Sequence, residues 1–270
     1  MRSLVRATVH EAVSVARCVV AYPQGMLEVA TRTGTPCGDV NRDTPVVLVH
    51  GFGHNGSAWM MLKAALRRNG FTSVHTMNYN PFFDNVPKIA AKLSDRVETI
   101  RTLTGSDKVH IVGHSLGGIV ARWYVQEEGG DLTIGTAITL ASPHAGTRAA
   151  FAGPGRTARE LRPGSWVMRR LNEDATPSDV RWIAFYGDSD ALIQPTRSGR
   201  IDVPALNARN MLIPGMGHLG MLLSGDVVNQ IIDELLNPPE AATSLPMFAR
   251  WSKKFREGAP ARAARRAAAS

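Results

Sequence analysis

Cysteine is almost missing from the 270 residues: there are only Cys18 and Cys37, both ahead of the first clear core strand. Two cysteines cannot make a disulfide framework, and they say little about the redox compartment. No run approaches 18 uninterrupted apolar residues, so no ordinary transmembrane helix is expected. The eight histidines are scattered, with no H-E-x-x-H string and no cysteine-pair spacing, and no metal site is expected. There is no Walker-type or dinucleotide-binding loop, and no cofactor is expected. Internal repeats are absent as well.

What remains is 44% hydrophobic and 20% charged, ordinary for a globular chain and enough for one well-buried domain. The net charge is +8, but it is unevenly placed. Residues 250–270 hold seven basic side chains against the single acid Glu257, so three quarters of the excess belongs to a tail. A nucleic-acid-binding domain would spread its basic residues over a folded face, and no nucleic-acid partner is expected. The tail has no apolar stripe with which to dock. It is read either as a solvated, disordered end or as an attraction for anionic membrane surfaces.

Near the start, Arg2 and Arg6 resemble a signal-peptide n-region, but His10, Glu11 and Arg17 interrupt the apolar stretch that follows. Residues 9–21 read instead as an amphipathic helix, with Val9, Val13, Ala16 and Val20 at helical spacing. Packing against the domain is the first reading and lying on a membrane surface the second. The location expected is cytoplasmic, with peripheral membrane contact through this helix or the tail. The division expected is 1–30 for the N-terminal helix region, 31–249 for the main domain and 250–270 for the tail.

Between Thr44 and Asn237 apolar strands alternate with helical stripes. The strands fall at 45–50 (PVVLVH), 74–79, 108–113 (KVHIVG), 134–140, 181–186 (RWIAFY) and 210–213. Between them come a helix marked by Trp59, Leu62 and Leu66, a stripe of Ile89, Leu93, Val97 and Ile100, and a helix begun by Leu116, Ile119, Val120 and Trp123. A last helix carries Val227, Val228, Ile231, Ile232, Leu235 and Leu236, with Ser224 as N-cap and Pro238-Pro239 as stop. This alternation predicts an α/β fold with a mostly parallel central sheet flanked by helices.

The string GHSLG at 113–117 is a G-x-S-x-G motif. Alone it is weak, but a buried strand runs into it and an apolar helix runs out of it, as a nucleophile elbow requires. Ser115 is thus the candidate nucleophile. A serine hydroxyl needs a base, and the base an orienting acid. His218, in GMGHL at 215–219, is the only histidine after position 144, and it lies on a glycine-rich loop just before the last helix. Asp188 and Asp190 both follow the strand at 181–186. The backbone N–H groups of Leu116, directly after the serine, and of Phe52, in the loop HGFG, are the candidate oxyanion donors. His50 reads as a residue that holds this loop rather than as a reacting group.

These strings together resemble the α/β-hydrolase superfamily, and within it bacterial lipases and esterases of the triacylglycerol-lipase kind. They are VLVHGFG at 47–53, IVGHSLGG at 111–118, LASPHAGT at 140–147, GDSDALIQP at 187–195 and GMGHLGML at 215–222. The resemblance implies an α/β-hydrolase fold and a triad of Ser115, Asp190 and His218, the G-x-x-D-x-x-I-x-P spacing favouring Asp190 over Asp188. It implies a structural role for His144, and a short cap or lid inserted at about 148–180 that lines an acyl pocket. His114, Trp166 and Leu219 are expected to touch substrate. The activity implied is hydrolysis of a small-molecule or lipid ester through an acyl-enzyme. Acyl transfer, or cleavage of a thioester or amide, would use the same residues.

Overall fold

Val46–Val49 is four consecutive β-branched or leucine residues, all buried, and such a run forms a strand only where both faces of its sheet are covered. The computed structural model describes residues 33–238, together with Glu11, Ser14, Val20 and Tyr22–Gly25. Most of the expected N-terminal helix and the whole basic tail lie outside the described residues. The described residues up to Leu236 belong to one compact unit.

Six strands form one sheet in the order β2-β1-β3-β4-β5-β6. They are β1 (Val46–Val49), β2 (Val74–Met77), β3 (Val109–His114), β4 (Ile134–Leu140), β5 (Arg181–Gly187) and β6 (Arg209–Ile213). Every neighbouring pair is parallel, with Val46 opposite Val74 on one side and His110 on the other. Strand side chains alternate between two apolar layers. Val47, Val49, Ile111, Trp182 and Ala184 pack with α2 (Val86–Thr104), α3 (Leu116–Glu127) and α5 (Trp166–Glu173). Val46, Leu48, Val112, Ile183 and Phe185 pack with α1 (Met60–Arg68) and α7 (Gly225–Leu236). The short α4 (Gly155–Glu160) lies in the insertion, and α6 (Gly220–Leu223) precedes α7.

The helix ends follow local chemistry. Asn85 caps α2 by accepting the Lys88 N–H at 3.0 Å, and Gly105, at φ 70°, closes its other end. Ser224 Oγ accepts the Val227 N–H at the start of α7 at 3.4 Å. Among the described residues no helix is long and apolar enough to cross a membrane.

From β1 the chain moves outward to β2 and then returns to β3 on the other side of β1. The order therefore reverses between β1 and β3, and the crevice beyond their carboxyl ends is where open parallel sheets take ligands. The loop after β1 and the turn after β3 both open into it.

A fully buried Arg122 on α3 fastens the insertion to α3 and to the loop after β4. It donates to Gln126 Oε1 at 3.1 Å, Asn172 Oδ1 at 3.2 Å and the carbonyls of His144 and Leu171 at 3.3 and 2.7 Å. Burial lowers its guanidinium pKa to about 9, and these acceptors replace the water it has lost. The α5 half of the insertion is thereby tied to α3, the helix that follows Ser115.

Several histidines are built into the interior as neutral groups, and this sets an acid limit on stability. Burial holds His50, His75 and His110 at about 4, and holds His114 and His144 well below the ordinary 6.5. Between pH 6.5 and 4 the unfolded chain binds protons at these sites that the folded chain refuses, so stability falls as pH falls through that window. Each such proton adds about 1.4 kcal/mol per pH unit to the slope. Urea midpoints are expected to hold between pH 8 and 7 and to drop steeply below pH 6. A midpoint still level at pH 5 would show that these rings are not buried in neutral form.

Candidate active site

Ser115 follows β3 directly and has φ 53° and ψ −120°, a strained conformation for any residue with a Cβ. The turn is tight because strand and helix nearly touch: a Cβ on Gly113 would come 2.6 Å from the backbone of Gly117. Glycine at 113 is therefore a requirement of close approach. The Ser115 N–H bonds the Leu140 carbonyl of β4 at 2.8 Å, which fixes the elbow to the sheet. Leu116 opens α3, and its N–H belongs to the set of helix-start amides that lack an intrahelical acceptor.

Phe52 stands in the loop after β1, in a turn closed by the His54 N–H on the Gly51 carbonyl at 3.3 Å. Gly53, at φ 69°, supplies the left-handed third residue that such a turn needs. His50 braces this loop: its Nδ1 contacts the Gly51 carbonyl oxygen at 2.8 Å, and its ring stacks on Tyr79 at 4.2 Å. The Tyr79 hydroxyl also donates to the His50 carbonyl.

His218 and Asp190 meet at 2.8 Å, Nδ1 to Oδ2, both side chains buried. The other oxygen of Asp190 accepts the N–H groups of Leu192 and Ile193 at 2.8 and 2.9 Å. Asp188 does something else. Its Oδ1 accepts the Gly215 N–H at 2.7 Å and the Ser189 hydroxyl at 3.2 Å, so it anchors the start of the histidine loop.

Ser115 and His218 open onto one cavity of about 280 Å³, whose walls include Phe52, His54, His114, Pro143, Leu192, Ile193 and Leu219. The first part of the insertion supplies one wall through Thr147, Ala149, Ala150, Gly153, Ala158 and Leu161. Most of this lining is apolar and small. Thr147, the last residue of the SPHAGT string, donates its hydroxyl to the Leu192 carbonyl at 2.6 Å and accepts the Gln194 N–H at 3.0 Å. The string thus ties the cap wall to the loop that carries Asp190.

His114 and Leu219, expected at the substrate, both line the cavity. His114 also donates from Nε2 to the His218 carbonyl at 3.1 Å, with its ring 4.7 Å from that of His218. Trp166 requires a correction, because it does not line this cavity. It begins α5 after the N-cap Ser165, and Val167, Met168 and Leu171 occupy the inward face of that helix. The half-exposed indole is left against Trp123, at 5.2 Å, beside a separate recess with Arg156 and Arg159. His144 is buried with Nε2 2.9 Å from the Thr139 hydroxyl, away from the cavity lining.

Two site residues were not anticipated. His54 lies four residues past the start of the HGFG loop and faces the cavity, where burial and the nearby His218 lower its pKa. The HGFGH string contained it, but histidine at that position has many uses. Glu11, more than two hundred residues away in sequence, accepts hydrogen bonds from the residues just after His218, and nothing local marks it. Among the described residues no group of three or more His, Cys, Asp or Glu side chains could hold a metal ion.

A parallel sheet that presents a serine on a strained strand–helix turn at its carboxyl edge places the chain in the α/β-hydrolase superfamily, among lipase- and esterase-like proteins. The mature form of a lipase from Bacillus licheniformis, BlEst2, superposes with a TM-score of 0.62 at 16% identity, over 77% of this chain and 96% of that one. Lipase B of Aspergillus fumigatus superposes with a TM-score of 0.63 at 17% identity, over 75% of this chain and 55% of that one. At such identities the likeness is one of fold. The abhydrolase domain-containing protein abhd-5.2 of Caenorhabditis elegans is 33% identical over 88 residues, which is 30% of this chain and only 19% of that protein. The family model for palmitoyl protein thioesterase matches residues 45–193, more than half of the chain, and the chain belongs to that family.

Proposed function

We propose that the protein is a serine hydrolase of fatty-acyl esters, working through an acyl-enzyme on Ser115. The observation that carries this is the buried His218–Asp190 pair at 2.8 Å, facing the same small apolar cavity as Ser115. Ser115 Oγ attacks the carbonyl carbon while His218 Nε2 takes its proton. The oxyanion forms between the N–H groups of Leu116 and Phe52. On collapse the alcohol leaves with the proton from His218, and the acyl group remains on Ser115. Water then attacks, gives a proton to His218, and releases the fatty acid as the serine recovers its own. Asp190 keeps the Nδ1 proton facing itself throughout, so that Nε2 is free to act as base.

A second reading, a thioester as the bond cleaved, is favoured by the family to which the chain belongs. The triad would act identically, with a thiol as leaving group. Labelling by a fluorophosphonate probe, lost in Ser115→Ala, tests the shared chemistry. A panel of matched oxygen esters and thioesters separates the two readings, and a wild-type protein that neither labels nor turns over any of them would overturn both.

The cavity also bears on chain length. At about 30 Å³ for each water-sized group, 280 Å³ accepts one acyl chain of intermediate length rather than a whole glyceride. Ala158, on α4, forms part of its wall, beside Gly153. Ala158→Leu is expected to cut kcat/KM at least about tenfold on an eight-carbon ester, with a two-carbon ester held within about threefold. Equal loss on both would place the acyl chain elsewhere.

A further inference from the structure

The loop that carries His218 is poor in intrinsic order. Residues 215–220 include Gly215, Gly217 and Gly220, and glycine widens the range of backbone conformations. Holding an imidazole to within a few tenths of an ångström on such a loop requires outside restraint. Asp188 restrains its start through the Gly215 N–H. His114 holds the His218 carbonyl and Asp190 the ring. The far side is held by Glu11: Oε1 accepts the Leu219 N–H at 2.8 Å and Oε2 the Gly220 N–H at 3.0 Å.

These two amides stand where the chain turns into α6, and helix-start N–H groups need acceptors from outside the helix. A carboxylate that takes both makes two charge-assisted bonds in a fixed fork. The carboxylate lies so close to the loop that a Cβ on Gly217 would come 2.8 Å from Glu11 Cδ, so any larger residue there would push the carboxylate aside. Glycine at 217 and glutamate at 11 are therefore one device. It ties a segment at the beginning of the chain to the residue next to the base.

We propose that Glu11 is a positioning residue for His218, fixing the backbone on which the imidazole is mounted so that it spans Asp190 and Ser115. This rests on the assignment of His218 as the base. Glu11 does not line the substrate cavity, so its loss acts through the placement of His218 rather than through substrate binding.

Glu11→Gln is the principal test, because it keeps the size but can accept only one of the two amides and turns an NH2 toward the other. With a soluble short-chain ester, kcat is expected to fall about 10- to 100-fold, the range a misplacement of about 1 Å can cause, with KM within about twofold. Fluorophosphonate labelling should slow in parallel. Gly217→Ala, which displaces the carboxylate from the other side, should show the same split. Acetate should restore part of the activity of Glu11→Ala by refilling the gap between the two N–H groups, a response that a general loss of stability would not give. The Nδ1–H proton of His218, followed by NMR in the full chain, should broaden or move in Glu11→Gln. Folded variants that keep wild-type kcat and an unshifted Nδ1–H signal would overturn the proposal, as would a loss confined to KM. A wild-type protein without labelling or turnover would overturn the hydrolase assignment instead, and the NMR signal alone would then decide whether Glu11 holds the histidine.

Discussion

Ser115→Ala and His218→Ala are each expected to lower ester turnover by about 10⁴-fold or more while leaving the fold intact. The size follows from the proposed division of labour: without the hydroxyl there would be no atom to acylate, and without the imidazole nothing would take or return the proton. What survives is the contribution of the oxyanion donors and of substrate binding, which act without either group. The fold should persist because both residues are held through their backbones, and when the imidazole is lost Asp190 keeps the Leu192 and Ile193 N–H groups on its other oxygen. Ser115 is fixed through its backbone, by the N–H bond to Leu140, and alanine keeps the same Cβ. The loop of His218 retains the restraints from Asp188 and Glu11 when the ring is removed. The double variant should be no slower than the worse single one, because the two groups act as a unit. Matched kinetics, fluorophosphonate labelling and thermal unfolding of the three variants check this. A single variant that keeps a tenth of wild-type activity would remove that residue from the chemistry.

Most of the sheet was legible in the sequence because five of its strands are largely buried, whereas the edge strand β6 is half exposed. Val46–Val49 and Arg181–Gly187 read as short continuous apolar runs, and all six strands fall within a residue or two of the expected spans. The serine turn was legible for a steric reason: only glycine at 113 and 117 lets a strand and a helix approach so closely. Other parts could not be read in advance. The indole of Trp166 was expected at the substrate because it lies in an apolar insertion. Its direction depends on which face of α5 meets the core, and Val167, Met168 and Leu171 take that face. Likewise Asp188 and Asp190 share one short loop, and only tertiary contacts with Gly215 and His218 separate their uses. Glu11 marks the limit of local reading, because both of its acceptor bonds are made to residues more than two hundred positions away.

Asp190→Asn is expected to cost about 10⁴-fold in kcat, whereas Asp188→Asn should stay within a few-fold of wild type. The difference follows from which oxygen faces which donor. Asp190 Oδ1 already accepts two backbone N–H groups, from Leu192 and Ile193. In an asparagine the carbonyl oxygen must take that place, since an NH2 there would set donor against two donors. The NH2 is then left facing His218 Nδ1, which can accept only by giving up its proton. The ring is driven into the tautomer with hydrogen on Nε2, and in the proposed mechanism a base that already carries hydrogen there cannot take another without becoming charged. No such conflict arises at Asp188. Its Oδ1 accepts from Gly215 and Ser189, and an asparagine oxygen can do the same. The pH–rate profiles give a second measure: Asp188→Asn should keep the wild-type shape, while residual activity of Asp190→Asn should rise toward high pH, where hydroxide can replace the missing base. Equal losses in the two variants, or the larger loss at Asp188, would transfer the orienting role to Asp188 and contradict the 2.8 Å contact between Asp190 and His218.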